Sequence, residues 1–129
     1  MGTCYSVRMK LTLLDEVGAI KALNEHMARD TKTHYNLAFY EEQGITPDTV
    51  DGLMKILLAE PQSEVSIRQA GKTRYYENAF NASYGWESVM MDWFNVLTPF
   101  LNSGSQMVIY PESDYDKLVV KNGKCVQVH

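Results

Sequence analysis

The clearest pattern in the chain is an amphipathic helical segment from Tyr84 to Leu101. At about 100° per residue, its large apolar side chains fall within one arc of roughly 160°, and its polar side chains share the opposite side. The arc contains Trp86, Val89, Met90, Trp93, Phe94, Val96, Leu97, Phe100 and Leu101. Ser83 can cap the first turn, and Pro99, which has no amide hydrogen to donate, should bend or break the last one. We therefore predict a core helix that buries Trp93 and Leu97.

Strict alternation near the N-terminus predicts a strand over residues 4–13 with one wet face. Tyr5, Val7, Met9, Leu11 and Leu13 point one way, and Cys4, Ser6, Arg8, Lys10 and Thr12 point the other. Asp15 then offers a helix cap. Apolar residues at helical spacing follow it and predict a helix that runs to about Arg29.

The pattern is weaker after this helix. In residues 31–44, Tyr35, Leu37 and Phe39 alternate like a short strand, yet the segment could equally extend a helix, and we predict it to be irregular. Thr46 is predicted to cap the next helix, with Pro47 as its first residue, because proline at that position loses no hydrogen bond. Pro61 is predicted to stop the helix.

A hairpin is predicted before the core helix. Val65 and Ile67 open its first strand, the chain turns near Ala70-Gly71, and the second strand returns to Tyr76. Residues 78–83 are then expected to lead into the core helix as a connection.

Three strands are predicted in the last part of the chain, at residues 107–110, 115–120 and 125–128. Asn122-Gly123, the strongest short hairpin signal, joins the last two. One face of these strands would carry Val108, Tyr110, Tyr115, Val119, Val126 and Val128; the other would carry Met107, Ile109, Leu118, Val120 and Cys125. Because both faces are apolar, the strands are either central and covered on both sides, or one face meets a partner subunit.

Together these elements predict an α+β fold in one domain that spans residues 1–129. Tight turns between consecutive strands require antiparallel pairing. The expected architecture is a single, mostly antiparallel sheet with about three helices packed mainly on one face, in the order β-α-(irregular)-α-β-β-α-β-β-β.

Charge and composition narrow the possible partners. The net charge is −4, from 12 basic and 16 acidic residues, and the basic residues are scattered along the chain. Direct binding to nucleic acid is therefore not expected, because it needs clustered cations. No apolar run approaches the roughly 18 residues of a membrane span, and the start of the chain lacks the order of a signal peptide, so we predict a cytoplasmic protein without a membrane partner.

The two cysteines are the first candidates for chemistry. Cys4 and Cys125 lie near opposite ends of the chain and are predicted to be reduced strand residues. A disulfide remains possible if the terminal strands are neighbours, because distance alone would then decide.

The sequence offers no strong catalytic or metal-binding motif. The three histidines, at positions 26, 34 and 129, are far apart, and no pair has the spacing of metal ligands. A nucleophile beside a histidine and an orienting group is also missing from the sequence pattern. We therefore predict no catalytic residue, no metal and no cofactor. The sequence leaves enzyme activity open but favours a protein that is not an enzyme.

Aromatic residues form the most suggestive group. The candidate binding residues are Tyr75, Tyr76, Tyr84, Trp86, Tyr110, Asp114 and Tyr115, which fall at a strand end, at the start of the core helix and beside an acidic turn. Tyrosine combines an apolar ring with a polar tip and suits partly exposed recognition surfaces. The same rings could instead seal the rim of the core.

These observations support a small interaction module as the first functional hypothesis. It would self-associate as a homodimer and bind a protein partner through the apolar sheet face or the aromatic rim. One alternative is a small-molecule-binding protein or enzyme with a groove near Tyr76, Tyr84 and Trp86, where Asp114 or Asp116 would act as acid or base. A second alternative is an acidic inhibitor that imitates nucleic acid, for which the charge excess is small.

Overall fold

The computed structural model describes residues 2–30, 33, 35, 37–58, 64–83, 85–110 and 116–128. Within these residues, six strands form one antiparallel sheet, accompanied by four helices. The strands are β1 (Gly2–Thr12), β2 (Ser66–Ala70), β3 (Thr73–Ser83), β4 (Gln106–Tyr110), β5 (Asp116–Lys121) and β6 (Lys124–Val128). The helices are α1 (Glu16–Arg29), α2 (Leu37–Glu42), α3 (Val50–Leu58) and α4 (Trp86–Leu97). The predicted fold class and the antiparallel sheet are confirmed.

β1 lies inside the sheet, whose strand order is β2-β3-β1-β4-β5-β6. β1 pairs with β3 along its whole length, from Gly2 opposite Ser83 to Thr12 opposite Thr73, and its other edge pairs with β4. Each pair of neighbouring strands is antiparallel. The N-terminal strand therefore connects the β2–β3 hairpin to the β4–β5–β6 tail.

The hydrophobic core lies between one face of the sheet and the helices, and we call this the helix-covered face. Tyr5, Val7, Met9 and Leu11 of β1 point into it, as the alternation predicts. Met90, Trp93, Phe94 and Leu97 of α4 are fully buried against them. The prediction of a core helix that buries Trp93 and Leu97 is confirmed.

The ends of α4 differ from the prediction. The helix gives way at Thr98–Phe100 to a 3-10 turn, which agrees with a break at Pro99. The prediction that Ser83 caps the helix is wrong, because Ser83 ends β3 opposite Gly2, and the cap is Gly85, whose φ of 90° favours glycine. Pairing with β1 extends β3 well beyond Tyr76, and this cross-strand pairing is invisible in the local sequence.

Two features of the middle segment also differ. Thr49, not Thr46, caps α3: its hydroxyl accepts a hydrogen bond from the amide of Gly52 at 3.0 Å, while the hydroxyl of Thr46 donates to Asp48. The region predicted to be irregular contains the short helix α2, which buries Tyr40 in the core. Tertiary contact, rather than local periodicity, accounts for a helix this short. The predicted stop at Pro61 lies outside the described residues.

The two cysteines are free thiols. Two strands separate β1 from β6, so Cys4 and Cys125 are roughly 14 Å apart at ordinary strand spacing. A disulfide needs Cα atoms within about 7 Å, so the disulfide alternative is excluded. Burial raises the pKa of the Cys125 thiol, which reduces its reactivity near neutral pH.

Candidate functional site

The second face of the sheet carries the candidate site, and we call it the open face because no described helix packs on it. The polar positions of β1 point to this side. Arg8 lies between Glu77 of β3 and Val108 of β4, and Lys10 lies between Tyr75 and Gln106. An antiparallel sheet commonly exposes one face to water, and that face is then polar. The open face of this sheet is polar only in part.

The tail strands place apolar side chains on the open face. The register aligns Gln106 with Val119 and Val119 with Val126, so the predicted division of the tail into two apolar faces is confirmed for the described side chains. Tyr110 is 43% exposed and Val126 is 38% exposed, whereas Val119 is half-buried. Val108 lies beside them on the same face but is only 8% exposed. We call these four residues, Val108, Tyr110, Val119 and Val126, the valine strip.

The hairpin that presents Val126 forms as predicted. Asn122 and Gly123 both have positive φ, 52° and 74°, and a two-residue turn of this kind joins twisted strands without splaying them. β6 is the outermost strand on this side of the sheet. Among the described residues, no helix or further strand lies over the strip.

One row of side chains crosses the open face from edge to edge. In strand order it contains Arg68, Tyr75, Lys10, Gln106, Val119 and Val126. The first three residues are cationic or aromatic, and the last two are apolar. At roughly 4.8 Å per strand, the row is about 24 Å long.

Positive charge collects on this face. Among the strand side chains that the structure describes, Arg8, Lys10, Arg68, Lys121 and Lys124 point to it, whereas Glu77 is the single carboxylate there. The chain as a whole has a net charge of −4. Cations that are scattered in the sequence are therefore gathered by strand pairing.

The cationic half of the face has local order. Nε of Arg8 donates to Oε1 of Glu77 at 3.2 Å, and both side chains are more than half exposed. The guanidinium carbon of Arg68 lies 4.2 Å from the ring centroid of Tyr75, within the range of a cation–π contact. Between them is an open depression of about 310 Å³, whose lining includes Lys10 and Gln106. We call it the cationic depression.

The sequence-predicted binding residues do not form one group. Tyr75 and Tyr110 lie on the open face, whereas Tyr76 is buried on the helix-covered face and Trp86 lies at the start of α4. The hydroxyl of Tyr76 donates to Asp51 at 2.6 Å, and Nε1 of Trp86 donates to the carbonyl oxygen of Leu57 at 3.0 Å. Tyr84, Asp114 and Tyr115 lie outside the described residues, and Asp116 opens β5.

Three tyrosines in or beside the core act as hydrogen-bond donors. Burial, together with a hydrogen bond to Asp51, raises the pKa of Tyr76 far above its ordinary value. Burial also raises the pKa of Tyr5, which donates to Glu87, and the pKa of Tyr35, which donates to Asp30. A phenol with a raised pKa stays protonated near neutral pH, so none of the three supplies a base. Tyr5 and Tyr76 join the sheet to α4 and α3, whereas Tyr35, in the loop after α1, joins the end of that helix to α4 by accepting from Trp93.

Metal and membrane sites are not indicated by the described part of the chain. Its histidine, cysteine and carboxylate side chains form no group that could hold a metal ion. Within the same residues, no helix has both the length and the apolar character needed to cross a bilayer. The predictions of no cofactor and of a cytoplasmic location stay predictions.

A comparison with known protein families, with curated proteins and with solved structures gave no match. The geometry and chemistry of the open face are therefore the basis for a functional proposal.

Sequence reasoning missed the cationic half of this face. Alternation in β1 placed Arg8 and Lys10 on a common side, and that signal was available. It did not bring Arg68 beside them, because Arg68 joins the group only through two successive strand pairings. The pairing partners of β1 and β3 are long-range contacts that no local pattern specifies.

Proposed function

We propose that the protein is an interaction module that binds a protein partner through the open face of its sheet. The observation that carries the proposal is the valine strip, which no described element covers. A solvated face needs no apolar strip, and clustered exposed apolar groups mark binding surfaces. The composition of the face supports this interpretation, because tyrosine and arginine are enriched in interfaces. The face contains Tyr75, Tyr110, Arg8 and Arg68.

Charge bears on whether the partner is a second copy of the chain. Two open faces that packed directly on each other would bring five cations against five cations, counting the described strand side chains. Like charges across an interface cost binding free energy. We therefore favour a different protein as the partner, and the homodimer stays a prediction that sedimentation at increasing concentration can check.

Selection of binders from a library of random peptides tests this proposal, and Val126→Ser is the diagnostic variant. Val17→Ser is a matched control, because Val17 is 78% exposed but lies on α1. Peptides selected on the wild-type protein should bind Val17→Ser unchanged. They should lose about tenfold or more in affinity for Val126→Ser, since the interface loses an apolar contact and gains an unpaired hydroxyl.

Amide chemical shifts of the labelled protein provide the second measurement. Shift changes on peptide binding should concentrate in β4, β5 and β6. Selected peptides that bind Val126→Ser as tightly as wild type, with shift changes confined to the helices, would refute the proposal. Failure to select any binder would also count against it.

A further inference from the structure

The cationic depression and the valine strip lie side by side on one surface, and together they restrict the chemistry of the partner. Lys10 and Gln106 are neighbours across β1 and β4, and Val119 is the next residue in the row. A side chain in the depression is therefore roughly 10 Å from one on the strip, at about 4.8 Å per strand. A ligand that uses both regions needs acidic and apolar groups close together.

The lining of the depression has three cations against one carboxylate, Glu77, so its net charge favours carboxylates. Lys10 has no hydrogen bond or ion pair with any described residue, and the hydrogen bond that Arg8 makes to Glu77 uses Nε. The terminal nitrogens of Arg8 therefore remain available as donors among the described contacts, and a guanidinium matches the geometry of a carboxylate. Arg68 and Tyr75 close one side of the depression.

We propose that the cationic depression binds acidic side chains of the partner, and that the partner is an extended protein segment with carboxylates followed by apolar residues. This inference rests on the proposed function. An extended chain advances about 3.3 Å per residue, so acidic residues at positions 1 and 3 and valines at positions 5 and 7 span roughly 20 Å on one side. That length fits the row from Arg68 to Val126.

A nucleic acid fits these observations less well. Single strands bind by stacking bases on exposed aromatic rings, and Arg68 already covers one face of Tyr75. A net charge of −4 also repels a long polyanion, whereas a short acidic segment feels mainly the local cations. The valine strip has no counterpart in a phosphate backbone.

The experiment uses the full chain and two synthetic peptides, Glu-Ser-Glu-Ser-Val-Ser-Val-Ser and its version with Gln for both Glu, titrated by NMR. The acidic peptide should bind about tenfold more tightly than the Gln peptide, and this difference should shrink as the salt concentration rises from about 0.05 to about 0.5 M. The double variant Lys10→Glu, Arg68→Glu should abolish the difference between the peptides. Lys21→Glu, which changes an exposed cation on α1, is the matched control and should preserve it.

The outcomes separate this inference from the proposed function. If Val126→Ser weakens both peptides but the Gln peptide binds as well as the acidic one, the carboxylate subsite is refuted and the docking face stands. If Val126→Ser leaves the affinity of both peptides unchanged, both the proposed docking face and the carboxylate subsite are refuted. Tighter binding of oligothymidylate than of the acidic peptide, with the same dependence on Lys10 and Arg68, would overturn the assignment to a protein segment.

Discussion

Tyr75 and Tyr76 are neighbours in β3 but lie in two different environments. Tyr76 is 1% exposed and donates to Asp51 of α3, so its ring and its hydroxyl both have partners inside the fold. Tyr75 lies on the open face beneath the guanidinium of Arg68, at the edge of the cationic depression. The same residue type therefore stabilises the fold on one face and lies half-buried at the proposed binding surface on the other.

The contrast between a face packed inside the fold and a face without a covering helix extends across the whole sheet. On the helix-covered face, every buried side-chain nitrogen and oxygen of the described residues has a hydrogen-bond partner. On the open face, described cations lie beside Val119, which is half-buried, and Val126, which is 38% exposed, and no described helix lies over them. We therefore expect the helix-covered face to account for most of the stability and the open face for little of it, as the proposed function requires, and mutations in adjacent residues can test this.

The largest expected difference lies between Met9→Ala and Lys10→Ala, which change neighbouring residues of β1. Met9 is 2% exposed, so its truncation leaves a cavity and should lower the free energy of unfolding by about 2–5 kcal/mol. Lys10 points to the open face, and its truncation should change stability by no more than about 0.5 kcal/mol. Urea denaturation followed by tryptophan fluorescence measures both. Equal losses would contradict the division between the faces.

Alkaline pH should destabilise the protein through three tyrosines in or beside the core. Tyr5, Tyr35 and Tyr76 have raised pKa values in the folded state, whereas tyrosine in an unfolded chain ionises near pH 10. Their contribution to stability is therefore fully present below about pH 10 and is lost as the pH rises through the folded pKa values. Urea midpoints measured at several pH values from 8 upward should fall. The fall should be shallower in Tyr76→Phe, and an unchanged slope in that variant would argue against the assignment.

A smaller difference is expected between Tyr76→Phe and Tyr75→Phe at neutral pH. Loss of the Tyr76 hydroxyl deprives Asp51 of a hydrogen-bond donor and should cost about 1–2 kcal/mol of unfolding free energy. The Tyr75 hydroxyl lies on the open face, and its removal should change stability by less than about 0.5 kcal/mol. Urea denaturation curves of the two variants and the wild type, recorded under the same conditions, measure both changes in unfolding free energy. The reverse order would mean that the open face supports the fold.

The smallest effect compares the two ion pairs. Glu77→Gln breaks a pair with Arg8 whose side chains are 56% and 65% exposed, and should cost no more than about 0.5 kcal/mol of unfolding free energy. Glu16→Gln breaks a pair with Arg74, whose side chain is 20% exposed, and should cost more, up to about 1 kcal/mol. Salt at about 0.5 M should remove the effect of Glu77→Gln first, because exposed charges are screened more strongly. Equal costs at all salt concentrations would contradict this prediction.

Local chemistry explains which predictions were confirmed. Alternation in β1, the apolar arc of α4 and the Asn122-Gly123 turn each depend on residues close together in the chain. Two of the errors occurred where a distant contact overrode a local preference, whereas the cap of α3 was misplaced by three residues within its own segment. β3 continues to Ser83 because β1 pairs with it, and α2 forms in a segment whose own period is weak.

The candidate site was also predictable only where it depends on residues close together in the chain. The sequence predicted the valine strip, because its spacing follows from the tail strands and their turn. It also contained Tyr75 and Tyr110 as candidates. Alternation puts Tyr76 on the opposite face from Tyr75, but only the structure shows which of the two faces the helices cover. The cationic half depends on three strands from two parts of the chain, so no single stretch reveals it.

By itself, the sequence determined the class of fold, the amphipathic character of β1 and α4, and the presence of an apolar surplus in the tail. Each follows from side-chain periodicity, which is a property of neighbouring residues. Only the tertiary structure decided the strand order, and with it the separation of Cys4 from Cys125 and the gathering of Arg8, Lys10 and Arg68 on one face. The reason is physical: strand order is selected by the burial of the whole core, a sum over long-range contacts that no local pattern contains.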